Sequence, residues 1–342
     1  MAIELPVLVE AVRGMTVESR HRGSVVAVDS SGALAVELGD AEHMVFPRSA
    51  IKPIQAALVM AETGAAQAFD VSDQELALAC SSHSGEVVHV LAVREWLLRL
   101  GYRPWNLECG AHDPVDPDAL HELYRAQGKA GPEHNNCSGK HAAFLTICRN
   151  RGVAPEGYLA PDHPVQAKVC RAMADMCEVD LARADLGIDG CGVPSIAMPL
   201  HALALGMARL ADPSRLPRAR AEACGGIVKA MAAHPVMVAG TKRFGAALLT
   251  AGRGRFVSKT GAEGVYCAAW PERKLGIAVK VEDGAGRAAE VVIAHILRKL
   301  GALDDEGWAA LGGRQNPAIK NWAGTDVGDI RASGELDGLR LD

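Results

Sequence analysis

Strand-like patterns lie at both ends of this chain, whereas its middle has a helical pattern. Near the N-terminus, residues 24–29 and 33–38 alternate small and apolar side chains around a turn, Ser30-Ser31-Gly32, which predicts a β-hairpin. Further strands are predicted near the C-terminus, at residues 255–259, 265–270 and 275–282. The simplest packing joins both groups in one antiparallel sheet with flanking helices, in the α/β class.

The segment between these strands has apolar residues at helical spacing. Helices are predicted at residues 49–64, 72–78, 86–100, 118–127, 138–150, 164–177, 200–210 and 218–233, and a closing helix at residues 288–300. The pattern predicts one unit over residues 1–342, with a sheet lobe at about residues 1–48 and 246–342 and a helical lobe at about residues 49–245.

Composition excludes several classes of function. With 49% hydrophobic and 23% charged residues the chain is not a disordered protein. A net charge of −5 and an aromatic content of 4% argue against a nucleic-acid partner. We find no signal-peptide pattern and no apolar run long enough for a membrane span. The nine cysteines are an odd number, so we expect reduced thiols and a cytoplasmic location, and the excess of arginine over lysine is typical of a GC-rich bacterial genome.

The pattern Ser49-x-x-Lys52 follows the hairpin, at the predicted start of a helix. A lysine one turn after a serine lies on the same helix face and can accept the serine proton if burial or a nearby cation makes the amine neutral. The free N–H groups of a helix N-terminus also favour developing negative charge. An N-cap serine with a surface lysine explains the pattern equally well.

Lys259-Thr260-Gly261 ends one of the predicted C-terminal strands. Serine β-lactamases and penicillin-binding proteins combine a helical Ser-x-x-Lys with a strand Lys-Thr-Gly, in the order found here. Those enzymes usually act outside the cytoplasm, and an ordinary turn at the end of a strand is the alternative interpretation.

Between two predicted helices the chain runs Cys80-Ser81-Ser82-His83-Ser84-Gly85-Glu86. Its cluster of hydroxyl groups is suited to supply a second nucleophile or a hydrogen-bond bridge. Helix capping is the simpler interpretation of this cluster by itself.

Cys137, Lys140 and Cys191 are the candidate metal ligands. Thiolates are natural zinc ligands, and two residues between the first cysteine and the next donor is a common spacing at metal sites. The chain has no Cys-x-x-Cys, and a lysine ligand must be neutral. On spacing alone, the two cysteines are more simply interpreted as buried structural residues.

Taken together, these segments resemble the rhizobial-type L-asparaginases, the asparaginase II family. The matching stretches follow the order of that family and are His21-Arg22, Arg48-Ser-Ala-Ile-Lys-Pro53, Cys80-Ser-Ser-His83, Asn136-Cys-Ser-Gly-Lys-His141, Pro161-Asp-His-Pro164, Asp189-Gly-Cys191, Lys259, Lys280-Val-Glu-Asp-Gly284 and Asn321-Trp-Ala-Gly324. The run Cys-Ser-Gly-Lys-His and the later Asp-Gly-Cys are specific in combination.

The resemblance implies a fold like that of the serine β-lactamases and penicillin-binding proteins, and the hydrolysis of L-asparagine to L-aspartate and ammonia. Ser49 and Lys52 match one catalytic Ser–Lys tandem of the family. Ser82 and Lys259 match the other, although the adjacent Ser81 is the alternative second serine.

The resemblance also implies one Zn²⁺ per chain, held by Cys137, Lys140 and Cys191. We expect the metal to bind or orient the substrate and not to activate water. The residues that we expect to contact the substrate are Arg48, His141 and Asp189. The expected partners are a small-molecule substrate and a second copy of the chain in a homodimer, without nucleic acid or membrane.

Three other functions stay open on the sequence. A glutaminase or another serine amidase on the same fold differs from an asparaginase by as little as one substrate methylene, which is worth only about 1–3 kcal/mol in specificity. A penicillin-binding-like sensor keeps the pocket without turnover. A structural zinc protein would need no Ser–Lys pairs, so those pairs count against it.

Overall fold

A computed structural model describes residues 4–339. The chain forms two compact units, of which the first contains residues 4–50, 198–212 and 247–339 and the second contains residues 51–197 and 213–246. Residues 198–212, which the sequence analysis assigns to the helical lobe, therefore group with the sheet. Among the described residues no helix is both long and apolar enough to cross a membrane. All nine cysteines are buried.

The strands are short except for the second, which has 14 residues. They are β1 (Val7–Arg13), β2 (Thr16–Asp29), β3 (Leu34–Leu38), β4 (Met44–Val45), β5 (Leu186–Ile188), β6 (Pro194–Ile196), β7 (Met198–Pro199), β8 (Val257–Thr260), β9 (Val265–Trp270), β10 (Leu275–Val281), β11 (Ala318–Lys320) and β12 (Asp326–Ala332).

Eight of these strands form the sheet of the first unit, in the order β11-β12-β1-β2-β10-β9-β8, with β3 also paired to β2. Every pair is antiparallel. The long strand β2 pairs with β1 through its first half and with β10 through its second half. This confirms that the N-terminal hairpin and the C-terminal strands share one antiparallel sheet.

The sequence analysis missed β1, β11 and β12, which extend this sheet beyond the hairpin. Strand β12 carries several charged residues and β11 has only three residues, so neither has a clear period-2 pattern. Both are placed by pairing: β12 pairs with β1 on one side and with β11 on the other.

The helices are α1 (Ala56–Glu62), α2 (Ala65–Ala68), α3 (Asp73–Ala79), α4 (Val87–Arg99), α5 (Pro117–Arg125), α6 (Ser138–Arg151), α7 (Pro164–Cys177), α8 (Leu200–Ala211), α9 (Arg218–Ala233), α10 (Pro235–Val238), α11 (Phe244–Gly252), α12 (Gly286–Lys299), α13 (Asp305–Ala310) and α14 (Gly334–Asp337). Short 3₁₀ helices lie at Arg48–Ile54, Pro104–Asn106, Pro132–His134, Pro213–Arg215 and Pro271–Arg273.

In the first unit, α8 and α12 both pack on β9 and β10. A Cβ atom added at Gly276 of β10 would lie 2.0 Å from the Ala204 carbonyl oxygen of α8, so only glycine allows this approach of helix and strand. Consecutive residues of β10 are buried, which requires cover on both sheet faces. This close packing explains why α8 belongs with the sheet.

In the second unit, α1 and α6 form the centre. Every residue of α6 from Ser138 to Cys148 is buried, and α1 packs on α6, α7 and α9. A helix without an exposed stripe must be surrounded by other helices. A capping box begins α3: the Ser72 Oγ accepts from the Glu75 N–H, and the Glu75 carboxylate accepts from the Ser72 N–H.

The single helix predicted over residues 49–64 is wrong. The chain instead forms the 3₁₀ helix Arg48–Ile54, which contains Pro53, and then α1 and α2. Proline lacks the N–H that an α-helix would use, and its ring clashes with the preceding turn. Pro53 therefore keeps this segment out of the α-helical form.

Candidate functional site

The 3₁₀ helix Arg48–Ile54 carries the first candidate pair. Side chains three residues apart are eclipsed in a 3₁₀ helix, so Ser49 and Lys52 project in the same direction. Arg48, at the start of the helix, has a left-handed φ of 50°. A residue other than glycine in this conformation is strained, and such strain is concentrated at functional sites.

Lys52 is fully buried and contacts the segment that follows α3. Its Nζ donates to the Ser81 carbonyl oxygen at 2.5 Å and to the Ser82 Oγ at 3.1 Å. Of the two adjacent serines, therefore, only Ser82 presents its hydroxyl group to the lysine. The Ser81 hydroxyl is buried and has no hydrogen-bond partner among the described residues.

The Ser82 segment is held on both sides by backbone hydrogen bonds. The Ser82 N–H donates to the Val238 carbonyl at 3.0 Å, and the His83 N–H donates to the Asn136 carbonyl at 3.3 Å. As predicted, the serines lie between two helices, because α3 ends at Ala79 and α4 begins at Val87. The helix-capping alternative does not describe Ser82, whose hydroxyl faces Lys52.

The three candidate metal ligands lie together in the second unit. Cys137 precedes α6, Lys140 lies in its first turn, and Cys191 lies in the loop between β5 and β6. The Lys140 Nζ is 3.0 Å from the Cys191 Sγ, and the two thiols are hydrogen-bonded to each other. Residues 51 positions apart are thus joined at one point.

These contacts change the proton affinity of all three groups. The hydrogen bond from Cys191, reinforced by the charges of Lys52 and Lys140, holds the pKa of Cys137 well below its usual range. The same hydrogen bond, together with burial, raises the pKa of Cys191. Burial acts to lower the pKa of Lys140, but the two sulfur atoms outweigh it and raise that pKa. The two thiol pKa values thus move in opposite directions, although the Cys137 Sγ also lies 3.0 Å from the Asn136 Oδ1, to which a protonated Cys137 donates.

The donor atoms of this set are of the types that zinc prefers, but the Lys140 amine must lose its proton before it is able to bind a metal. Two sulfur atoms and one nitrogen converge, and zinc prefers such ligands and leaves a fourth position open in sites with three protein ligands. Within residues 4–339 no group of three or more His, Cys, Asp and Glu side chains is arranged to hold a metal. The candidate set is of a different kind, since its third donor is a lysine.

Two of the expected substrate contacts lie beside these ligands. The charge of Asp189 acts on Lys140, and the Asp189 Oδ1 accepts from the Gly190 N–H at 2.7 Å. His141 follows Lys140 and is fully buried. The Tyr158 hydroxyl accepts from the Glu108 N–H at 2.9 Å and forms a second hydrogen bond, of 2.7 Å, with the His141 Nδ1, in which either group is able to donate.

His141 is neutral in this environment. Burial and the charges of Lys140 and Lys52 hold its pKa well below the usual range. The Nε2 atom is buried and, as far as residues 4–339 show, has no partner. His141 thus has a ring nitrogen without a hydrogen bond, which a bound ligand is able to engage.

Lys259 lies in the first unit, at the third position of β8. Its side chain is buried, and its Nζ donates to the Thr260 carbonyl at 2.7 Å. A Cβ atom added at Gly261 would lie 2.9 Å from the Pro47 carbonyl oxygen, so the Lys-Thr-Gly triplet runs beside the chain that leads into Arg48 and Ser49. The third residue of the triplet is glycine for this steric reason.

Sequence reasoning missed the side chain of His83. Its ring is buried, is hydrogen-bonded to Ser138 and stacks on His89 with a centroid distance of 4.9 Å. The only sequence signal was its place directly after the second serine. A histidine in a loop gives no indication from sequence that its ring is buried between two helices.

Comparisons with known proteins place this arrangement in a family. No curated protein matches the chain. Two crystal structures of Mglu, one in its tris and glutamate form and one in its native form in 4.3 M NaCl, match with 16% and 15% identity and TM-scores of 0.39 and 0.37. Each match covers 82% of this chain and 60% of Mglu, so the chain spans less than two thirds of that protein, and the similarity is too distant to carry an argument. The sequence profile of L-asparaginase II, however, matches residues 9–332, so this chain belongs to the L-asparaginase II family.

Proposed function

We propose that this protein hydrolyses L-asparagine to L-aspartate and ammonia. The family supports a small-molecule amide as the substrate. The observation that carries the finer proposal is the contact of the buried Lys52 amine with the Ser82 hydroxyl at 3.1 Å. A buried amine beside a hydroxyl group is able to move protons during acyl transfer.

In the proposed reaction, the Ser49 Oγ attacks the carbonyl carbon of the substrate amide, and Lys52, which must be the neutral amine at this step, accepts the serine proton. The C–N bond then breaks, the proton passes to the leaving nitrogen, and ammonia departs from an acyl-Ser49 ester. Water next attacks the ester, gives a proton to Lys52, and the serine leaves with that proton restored. The eclipsed geometry of the 3₁₀ helix supports Ser49 and Lys52 as the first tandem.

Ser82 and Lys259 form the second tandem of the proposal. The Ser82 hydroxyl accepts from Lys52, so it is placed to relay a proton to the leaving nitrogen. We include Lys259 because it matches the family pattern and because its side chain is buried in β8. The two tandems would then act as one proton network.

Charged and polar groups are available for both ends of an amino acid. We assign the Asp189 carboxylate to the α-ammonium group, the Arg48 guanidinium to the α-carboxylate and the unpartnered Nε2 atom of His141 to a polar atom of the substrate. Cys137, Lys140 and Cys191 would hold zinc, which supplies a Lewis-acidic position that binds an amino or carboxylate group of the substrate.

We also propose that the fold is of the serine β-lactamase and penicillin-binding type. The antiparallel sheet that joins both chain ends supports this, as do the Ser-x-x-Lys in a helix and the Lys-Thr-Gly at the end of a strand.

An amide panel with ammonia detection tests the function. L-Asparagine, L-glutamine and simple aliphatic primary amides are each incubated with the metal-replete enzyme and with enzyme treated with a chelator, and opening of the penicillin β-lactam ring is followed separately by its absorbance. We expect ammonia from asparagine with the highest kcat/KM, and a loss on the order of a million-fold in the Ser49→Ala variant. Preference for glutamine would reassign the substrate, and no ammonia from any amide would remove the enzymatic proposal.

A further inference from the structure

His83 has only one tautomer that satisfies its neighbours. The Gly85 N–H donates to the His83 Nδ1 at 3.1 Å, so Nδ1 carries the lone pair and Nε2 carries the proton. The Nε2 lies 2.8 Å from the Ser138 Oγ, which in turn donates its proton to the Glu133 carbonyl at 3.0 Å. The Glu133 carbonyl can only accept, so the Ser138 hydroxyl donates to it and accepts from the His83 Nε2–H. The hydrogen bond from Gly85 requires the same tautomer of His83.

The orientation of the His83 ring and its neutral state are also set by its surroundings. It stacks on His89 at an interplanar angle of 12°, and the His89 Nε2–H donates to the Val236 carbonyl at 2.8 Å. Burial, His89 and Lys52 hold the pKa of His83 well below its usual range. A neutral ring keeps the acceptor that Gly85 needs.

These bonds connect the loop that carries Ser82 to the helix that carries the candidate metal ligand Lys140. Ser82 directly precedes His83, and Ser138 lies between Cys137 and Lys140 in the chain. The His83 ring therefore ties the serine that contacts Lys52 to the first turn of α6.

From these contacts we infer that His83 is a positioning residue for the amide hydrolysis proposed above. It holds the Ser82 hydroxyl against Lys52 through the hydrogen bond from its Nε2–H to Ser138. It touches neither the substrate nor the reacting atoms. The kinetic effect that we expect rests on the proposed function, whereas the hydrogen bonds of His83 do not depend on it.

Two amide variants separate the two ring nitrogens. The Nε atom of glutamine reaches about as far as the histidine Nε2, whereas the Oδ1 of asparagine replaces only the Nδ1 acceptor. We expect His83→Asn to lower kcat by about 100-fold, the size of effect typical for a misplaced catalytic group, with KM little changed. His83→Gln should recover most of this loss. The exposed His121→Asn is the control for a histidine-to-amide change.

A double-mutant cycle tests the bridge to α6. Ser138→Ala should lower kcat as His83→Asn does, and the double variant should lose little more than either single variant, because both remove the same hydrogen bond. Additive losses, or a His83→Gln variant no better than His83→Asn at equal thermal stability, would show that His83 has only a structural role in its loop.

Histidine ¹⁵N NMR tests the chain without any activity. We expect the His83 signals, assigned by their loss in His83→Gln, to show a protonated Nε2 and an unprotonated Nδ1 at pH 7, and Ser138→Ala to shift the Nε2–H resonance. A protonated Nδ1, or no shift in Ser138→Ala, would overturn the inference even in an active enzyme. If instead the NMR result holds and no amide is hydrolysed, the proposed function fails and the hydrogen-bonded bridge stands.

Discussion

Lys52 distinguishes two neighbouring serines: its Nζ meets the hydroxyl of Ser82 at 3.1 Å but only the carbonyl oxygen of Ser81. The adjacent residues are therefore matched probes of the same loop. One hydroxyl touches the proposed proton network, and the other is buried without a partner among residues 4–339.

We expect Ser82→Ala to reduce kcat for asparagine by about 100-fold or more, because a proton relay is lost. Ser81→Ala should leave kcat unchanged and should not reduce stability, since its hydroxyl makes no hydrogen bond that could be lost. Steady-state ammonia release from both variants, with thermal unfolding as a check, measures this difference. Equal losses in the two variants would remove Ser82 from the mechanism.

The lysines provide a separate prediction. Lys52→Met and Lys259→Met keep the length of the side chain but remove the amine, and each should reduce turnover severely. Their losses should not add in the double variant if the tandems act as one network. The control is Lys129→Met, at an exposed position. Normal hydrolysis by Lys259→Met would show that the second tandem is not catalytic.

The sequence predicts elements where a single periodicity dominates. The helix over Pro164–Cys177 and the strand over Val265–Trp270 begin and end where the pattern places them. The segment after Arg48 is different, since Pro53 decides its form and the apolar spacing that suggests a long α-helix comes from two short helices, the 3₁₀ helix Arg48–Ile54 and α1. Local patterns thus fail where one residue without an N–H interrupts them.

The candidate site shows the same limit. The family resemblance singled out Cys137, Lys140 and Cys191, whereas spacing alone favoured a structural role for the cysteines, and the structure brings the three together. The contact of Lys52 with Ser82 joins residues 30 positions apart, and the His83–Ser138 bond joins residues 55 positions apart. Such contacts depend on tertiary packing, which no local pattern in the sequence encodes.

Buried histidines predict how stability depends on pH. Burial lowers the pKa of both His83 and His89, so the unfolded chain binds more protons than the folded chain below the ordinary histidine pKa of about 6.5. The free energy of unfolding should therefore fall as the pH falls below that value, by at most about 1.4 kcal/mol per pH unit for each histidine.

The variant His89→Gln isolates one of these contributions. Glutamine can still donate to the Val236 carbonyl but does not titrate, so the free energy of unfolding should depend less steeply on pH than in the wild type. The control is His121→Gln, on the exposed face of α5. Urea unfolding across pH 5–7 measures the slopes, and an unchanged slope in His89→Gln would show that His89 is already protonated in the fold.

The candidate zinc site gives the last prediction. Metal-replete protein should contain about one zinc per chain by elemental analysis, and Cys137→Ala or Cys191→Ala should lose it, because each removes one of three ligands. Cys148→Ala is the matched control: Cys148 is buried on the same helix, and burial raises its pKa to about 12, so its thiol stays protonated.

Zinc binding should weaken as the pH falls, since the ligands must release protons to bind the metal. If zinc only orients the substrate, the two ligand variants should raise KM more than they lower kcat. A wild-type protein that binds no zinc at saturating metal would return both cysteines to a structural role, as a hydrogen-bonded thiol pair beside Lys140.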